Sequence, residues 1–216
     1  QFNDFEYVEF SLKDELLINA DAGNDSIILS HSGTPNSLVG ITVDGGGHAT
    51  GDLLVVRDSD SSTDITFAPT GTSQSTIAGA QAVASGVTAT NIEAVTIDVG
   101  GGGALTGGDG DTLDRLIVDV PTSGLTTTVT PDAVVSSQGT VAVGTHVPLT
   151  YTNMVAGENL QIDGTAGSDT VRYLGTGGSD TFVVSPNGTL AAVGLTIDGT
   201  VVRHGVDLNV DGAQAI

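Results

Sequence analysis

The sequence predicts an all-β protein, and three observations support this. Apolar and polar residues alternate with a period of two along many short runs, which is the pattern of half-buried strands. Glycine-rich turns separate these runs about every ten residues, the spacing of an all-β sandwich or solenoid. Short elements also recur along the chain. The predicted architecture is therefore a β-solenoid or β-helix-like repeat, with two β-sandwich domains in tandem as the alternative.

The stretch 160–184 shows the repeating plan most clearly, because it contains the plan twice. Alternating apolar residues lead into a glycine-rich turn that carries an aspartate, and alternating apolar residues follow. The first turn ends at Asp169 and the second at Asp180. Glycine supplies the positive φ that a tight corner between strands requires. The predicted unit is a strand, a corner and a second strand.

The rest of the chain follows the same pattern. Strands are predicted at residues 5–12, 16–20, 38–43, 53–56, 65–67, 92–98 and 113–120, and alternation continues at 141–143 and 147–151 with a turn at Gly144. Residues 74–86 are small and apolar, and their alanine content would permit a short helix. Because strands are predicted on both sides, we expect an irregular edge or a weak strand there.

The charge balance limits the classes of partner. There are 26 acidic residues against five basic ones, which gives a formal net charge of −21. Such a surface repels nucleic acid and anionic membranes and attracts cations, so divalent cations are the expected partners. There are no cysteines, and no apolar run is long enough to insert into a membrane. A segment of an exported protein has this composition, and an extracellular or cell-surface location is predicted.

Internal matches predict two half-repeats. Residues 41–45 (ITVDG) resemble 160–164 (LQIDG), and the PTGT of 69–72 matches the PNGT of 186–189. The GAQAV of 79–83 recurs as the GAQAI of 212–216. The strand pattern at 92–97 recurs at residues 5–10. The first half-repeat is therefore 41–159, and the second begins at 160–216 and ends in residues 1–40 of a neighbouring unit.

Three glycine-aspartate corners resemble a known family. They read DAGNDSI at 21–27, GTAGSDTV at 164–171 and GTGGSDTF at 175–182. They look like the corners of hemolysin-type calcium-binding (RTX-like) repeats, and the wider pattern is similar to tandem-repeat secreted bacterial proteins. The resemblance and the internal matches imply Ca2+ ligands at Asp25, Asp52, Asp111, Asp169 and Asp180. The alternative is that each aspartate accepts hydrogen bonds from its own turn.

Other chemistry has little support in the sequence. The histidines His31, His48, His146 and His204 share no metal-ligand spacing, so surface or structural roles are expected for them. Carboxylates are so abundant that no pair indicates a glycosidase, and there is no tryptophan to stack on a sugar. We therefore predict that the chain is not an enzyme.

The predicted function is structural. A chain whose head and tail are sequence neighbours is expected to be a repeat unit of an extracellular fibre, surface layer or adhesin stalk, with copies joined head to tail. The residues predicted to be buried at that junction are Phe2, Phe5, Tyr7, Phe10 and Ile216. The alternative is a calcium-dependent extracellular binding module for adhesion or carbohydrate.

Overall fold

The computed structural model describes residues 14–30, 38–57, 64–79, 86–99, 115–135, 137–154, 159–164, 169–175, 182–186, 192–199 and 202–209. These residues form seventeen β-strands and no helix. The strands are β1 Glu15–Asn19, β2 Ser26–Ser30, β3 Gly40–Asp44, β4 Leu53–Arg57, β5 Ile65–Gly71, β6 Gln74–Ala78, β7 Val87–Thr90, β8 Ala94–Asp98, β9 Arg115–Asp119, β10 Thr126–Pro131, β11 Gly139–Val143, β12 Leu149–Thr152, β13 Asn159–Asp163, β14 Thr170–Tyr173, β15 Phe182–Pro186, β16 Ala192–Gly199 and β17 Val202–Asn209. The prediction of an all-β chain is confirmed.

The strands form two mixed sheets. The ten-stranded sheet has the order β1-β3-β7-β6-β5-β9-β13-β17-β16-β15, and the seven-stranded sheet has the order β14-β10-β11-β12-β8-β4-β2. Both orders are open. Among the described strands, β1 and β15 are therefore the edges of the larger sheet, and β14 and β2 are the edges of the smaller one.

Corners carry the chain from one sheet to the other. β1 and β3 are parallel neighbours in the ten-stranded sheet, while β2 and β4 are parallel neighbours in the seven-stranded sheet. The two strands in the stretch 160–174, β13 and β14, likewise belong to different sheets. The strand-corner-strand plan read from this stretch thus corresponds to a crossing between sheets.

Antiparallel segments interrupt this alternation. β5, β6 and β7 run consecutively within the ten-stranded sheet, and β10, β11 and β12 do so within the seven-stranded one. Of the two alternatives expected for 74–86, an irregular edge or a weak strand, residues 74–78 form a strand, β6, which lies between β5 and β7 and is not an edge. Ser75 and Ile77 of β6 are buried. Pairing on both sides stabilises a strand whose own alternation is weak.

One series of strands occurs twice in the ten-stranded sheet. The order β3-β7-β6-β5 is followed by β9, and the order β13-β17-β16-β15 ends the sheet. The registers agree as well, since β3 places Ile41 opposite Val87 and β13 places Leu160 opposite Val206. Both series therefore have the same parallel and antiparallel neighbours.

Both sheets contribute to one apolar core. Val43 and Phe67 come from the ten-stranded sheet and Leu54, Ile97 and Tyr151 from the seven-stranded sheet, and all five side chains are almost fully buried. Strands such as Ile65–Gly71 alternate buried and half-buried residues along most of their length. Each large apolar side chain that is fully buried contributes roughly 1.5–3 kcal/mol to folding.

The end of the molecule formed by β1 and β2 is less well covered. Leu17 on β1 is 74% exposed, Ile28 on β2 is 41% exposed, and Val39, just before β3, is 67% exposed. Among the described residues, no helix is long and apolar enough to cross a membrane.

Candidate metal centre at a stacked corner

Three acidic residues occupy equivalent positions at neighbouring corners of the seven-stranded sheet. Asp25 directly precedes β2, Asp52 directly precedes β4, and Glu93 directly precedes β8. β4 pairs in parallel with both other strands, with Ser26 opposite Leu53 and Leu53 opposite Ala94. Because parallel strands in register begin at the same level, the three acidic residues are adjacent.

Hydrogen bonds between backbone N–H groups and carboxylates link each corner to the next. The backbone N–H of Asp25 donates to Asp52 Oδ1 at 2.7 Å, and the backbone N–H of Asp52 donates to Glu93 Oε2 at 2.8 Å. Each carboxylate thereby satisfies a donor at the start of the adjacent strand. These contacts hold the Asp52 and Glu93 side chains in defined positions.

His48 completes the cluster from the loop between β3 and β4. Its Nδ1 lies 3.5 Å from Asp52 Oδ2 and 3.2 Å from Glu93 Oε2. The Asp52 side chain is completely buried, whereas the side chains of His48 and Glu93 are 31% and 29% exposed. The cluster thus has a buried floor and a solvent-accessible rim.

Glycines allow the loop to approach the neighbouring corners. A Cβ on Gly45 would overlap the backbone oxygen of Asn91 and lie 2.8 Å from Asp52 Oδ2. Gly46 has φ of 80°, and a Cβ there would overlap the carbonyl of Asp21. Larger residues at these positions would push away the loop that carries His48.

One carboxylate oxygen of the cluster lacks a hydrogen-bond partner. Asp52 Oδ2 is buried and has no hydrogen-bond partner, and the same is true of Asp25 Oδ2. A buried acceptor without a donor costs roughly 1–3 kcal/mol, more for a charged group. His48 Nδ1, at 3.5 Å, is at the limit of hydrogen-bond distance from Asp52 Oδ2, so a closer donor or a cation would stabilise this oxygen.

Of the other predicted calcium ligands that the structure describes, Asp25 lies at the adjacent corner and Asp169 lies at a distant one. Asp169, which precedes β14, accepts a hydrogen bond from the Leu125 N–H at 3.3 Å, and its Oδ2 is also buried without a partner. β14 lies five strands from β4 in the sheet, which is about 24 Å at the usual strand spacing. Asp111 and Asp180 lie outside the described residues.

The predicted junction residues Phe2, Phe5, Tyr7, Phe10 and Ile216 also lie outside the described part of the chain.

Other aspartates accept hydrogen bonds from backbone N–H groups of their own turn. Asp44 Oδ1 accepts from the Gly46 N–H at 3.0 Å, and Asp132 Oδ1 accepts from the N–H groups of Val134 and Val135 at 2.8 Å. The two bonds from Val135 and Val134 lower the pKa of Asp132. Corner carboxylates therefore act in two ways, within their own turn or between neighbouring strands.

Known proteins add nothing to this geometry. Comparisons with models of protein families, with curated proteins and with solved structures found no match.

Two of the three clustered residues are not indicated by the sequence. Glu93 lies in the strand pattern at 92–97, and the absence of a ligand spacing among the histidines predicts a surface or structural role for His48. The available signal was the four-residue separation of His48 and Asp52 in a glycine-rich corner. Glu93 is 41 residues beyond Asp52 in the chain and is adjacent only through the pairing of β4 with β8.

Proposed function

We propose that the chain is a structural repeat unit of an extracellular fibre, surface layer or adhesin stalk, whose copies join head to tail through their sheet edges. The observation that carries the proposal is the repeated strand order in the ten-stranded sheet. The first series, β3-β7-β6-β5, continues into β9 and then into the second series, whereas no described strand follows β15.

β1 has the same relation to the first series as β9 has to the second. β9 pairs in parallel with β13, placing Leu116 opposite Leu160 and Val118 opposite Ile162. β1 pairs in parallel with β3, placing Leu16 opposite Ile41. Since Ile41 and Leu160 are equivalent in the two series, β1 is the counterpart of β9. The strand expected next to β15 is therefore β1 of another copy.

The internal pair β5–β9 predicts the register of this junction. It places Thr66 opposite Ile117. Aligning Pro69 with Pro186 makes Val183 the counterpart of Thr66, and the β1 register makes Leu17 the counterpart of Ile117. The proposed junction pairs Val183 of one copy with Leu17 of the next.

This equivalence departs from the predicted repeat at one point. Residues 79–83 lie after β6 and before β7, whereas 212–216 follow β17, the counterpart of β7. The sequence match between those two segments therefore does not contribute to the proposal. The match of 41–45 with 160–164 does, since these segments correspond to β3 and β13.

The exposed end of the molecule also supports assembly. Leu17 and Ile28 are exposed apolar residues on β1 and β2, the edge strands of the two sheets. An open strand edge offers unpaired backbone donors and acceptors to another chain. The surfaces at the two ends differ, so the contact is heterologous and generates a linear array.

The finer architecture that fits this arrangement is a β-solenoid. Parallel neighbours joined through alternating sheets would form successive coils, and the antiparallel strands β6 and β11 would be inserted within coils. Stacked coils leave free strand edges only at the two ends. Two sandwich domains in tandem would instead divide the apolar core, which in the described residues is a single cluster running from Leu29 to Ile162.

Disulfide trapping tests the junction directly, because the chain has no native cysteine. In a chain carrying both Leu17→Cys and Val183→Cys, paired residues on adjacent strands would be about 5 Å apart, within disulfide range. Mild oxidation should then give a ladder of covalent multimers on a non-reducing gel. Either single-cysteine variant can give at most a dimer.

A matched control moves one cysteine by two residues along β15. Leu17→Cys with Ser185→Cys places the sulfur-bearing residues about 8 Å apart in the proposed register, too far for a disulfide. Deletion of residues 1–12 leaves β1 in place but removes Phe2, Phe5, Tyr7 and Phe10, which are predicted to be buried at the junction, and it should also abolish assembly, as judged by sedimentation. A monodisperse monomer that forms no ladder, or equal ladders from the two double variants, would exclude this head-to-tail contact.

A further inference from the structure

We infer that His48, Asp52 and Glu93 form a site for one divalent transition-metal ion of the zinc class. The site belongs to one corner of one chain, so it does not depend on head-to-tail assembly. Its proposed ligand atoms are His48 Nδ1, Asp52 Oδ2 and Glu93 Oε2, all within 4.8 Å of one another.

The separations of these atoms suit a small tetrahedral ion. Zinc binds histidine nitrogen and carboxylate oxygen at about 2.0–2.2 Å, which puts neighbouring ligands of a tetrahedron about 3.3–3.5 Å apart. His48 Nδ1 is 3.2 Å from Glu93 Oε2 and 3.5 Å from Asp52 Oδ2. Little movement of the three side chains is needed to enclose an ion.

The unsatisfied oxygen of Asp52 is an independent indication of a ligand. The Asp52 side chain is 0% exposed, and its Oδ2 has no hydrogen-bond partner. Its other oxygen is already occupied by the Asp25 N–H. A buried carboxylate is stable when it is paired or coordinates a metal, and this oxygen is on the side of the carboxylate that faces His48.

The donor set identifies the class of cation. Ca2+ takes six to eight oxygen ligands, whereas an imidazole nitrogen with two carboxylates suits zinc and its neighbours in the transition series. The partial exposure of His48 and Glu93 leaves room for water as a fourth ligand. This assignment differs from the Ca2+ that the family resemblance implied for Asp52.

Backbone contacts orient the two carboxylates before any ion binds. The Asp25 N–H holds Asp52 through Oδ1, and the Asp52 N–H holds Glu93 through Oε2, whose second lone pair stays available. Such outer contacts commonly fix metal ligands. A bound ion would join the loop before β4 to the start of β8 and so tie two adjacent corners together.

Calorimetry with Zn2+ on the full chain, prepared without a histidine tag and stripped with chelator, tests the site. We expect one Zn2+ per chain, together with the strong visible absorption of tetrahedral Co2+ when cobalt is substituted. His48→Ala should weaken the Zn2+ affinity at least tenfold and abolish the cobalt spectrum. Glu93→Gln keeps an acceptor for the Asp52 N–H but removes the charge, and it should also weaken Zn2+ binding.

His146→Ala is the matched control, because this half-exposed histidine is not among the three grouped residues and its Nδ1 lies 3.0 Å from the carbonyl oxygen of Val143. It should bind Zn2+ like the unaltered chain. Far-ultraviolet circular dichroism of the metal-free variants checks that each has folded. No Zn2+ binding, unchanged binding by a folded His48→Ala chain, or Ca2+ binding of equal strength that is also lost in His48→Ala would overturn the assignment.

Discussion

Two aspartates face each other at the ends of β9 and β13, where the parallel register pairs Asp119 with Asp163. Burial raises the pKa of Asp119, and the nearby charge of Asp163 raises it further. A carboxyl whose pKa is higher in the folded chain than in the unfolded one destabilises the fold when it ionises. This penalty is absent below the unfolded pKa of about 3.8 and develops as the pH rises through the folded pKa.

Replacing Asp119 with Asn should therefore stabilise the protein at pH 7. Like charges directly opposite each other destabilise by roughly 0.2–1 kcal/mol, which is the expected gain in the free energy of unfolding. The gain should shrink towards pH 3, and urea unfolding at both pH values measures it. Asp98→Asn is a suitable control, because Asp98 lies opposite Arg57 and its loss removes an opposite-charge pair. A gain from Asp119→Asn that is the same at both pH values would contradict the electrostatic cause.

At the scale of elements, acidic residues that precede strands fix the starts of neighbouring strands. Asp64 Oδ1 accepts from the Arg115 backbone N–H at 3.0 Å, and Asp64 Oδ2 accepts from the Arg115 side chain at 3.1 Å and 2.5 Å. Arg115 also donates to Gln161 Oε1 at 3.3 Å. One side-chain cluster thus aligns the beginnings of β5 and β9 and links β9 to the middle of β13.

Asp64→Ala should be much more destabilising than the loss of a carboxylate that bonds only its own turn. Hydrogen bonds to charged groups contribute about 1.5–3 kcal/mol, and the substitution leaves the Arg115 N–H without this acceptor. Asp132→Ala, which removes two bonds within one exposed turn, should cost much less, because water can replace the lost acceptor. Chemical denaturation of both variants provides the comparison, and equal losses would argue against alignment of the strands by Asp64.

At the scale of the whole molecule, the net charge of −21 opposes compaction and the approach of a second copy. Cations that bind only the folded chain stabilise it by mass action. The glycine-aspartate corners at Asp25 and Asp169 each keep a buried carboxylate oxygen without a hydrogen-bond partner, in addition to the one at the His48 cluster. Calcium at such corners is a prediction separate from the zinc-class site.

Calcium should raise the thermal unfolding midpoint relative to chelator at matched ionic strength. A ligand at one hundred times its dissociation constant adds about 2.7 kcal/mol, or several degrees for a chain of this size. The rise should persist in His48→Ala, since that variant removes only the zinc-class site. Identical midpoints with calcium and with chelator would contradict the prediction that calcium stabilises this fold.

The sequence by itself determined the β character of the chain, its glycine-aspartate corners and its excess of acidic charge. These properties are local or additive: alternation along a strand depends on adjacent residues, and net charge is a sum. The corner at Asp52 could be predicted as part of a cation site for the same reason, because glycine and aspartate stand together there in the chain.

Only the tertiary structure decided which strands are neighbours, and with them the composition of the site. β6 pairs on both sides although its own pattern is weak, and Glu93 reaches Asp52 across 41 residues because β8 pairs with β4. Parallel pairing places residues from distant corners side by side. A sequence separation of 41 residues, such as that between Asp52 and Glu93, gives no sign that the two are neighbours. The loop glycines that bring His48 onto the cluster act through contacts with other corners, so their effect exists only in the folded chain.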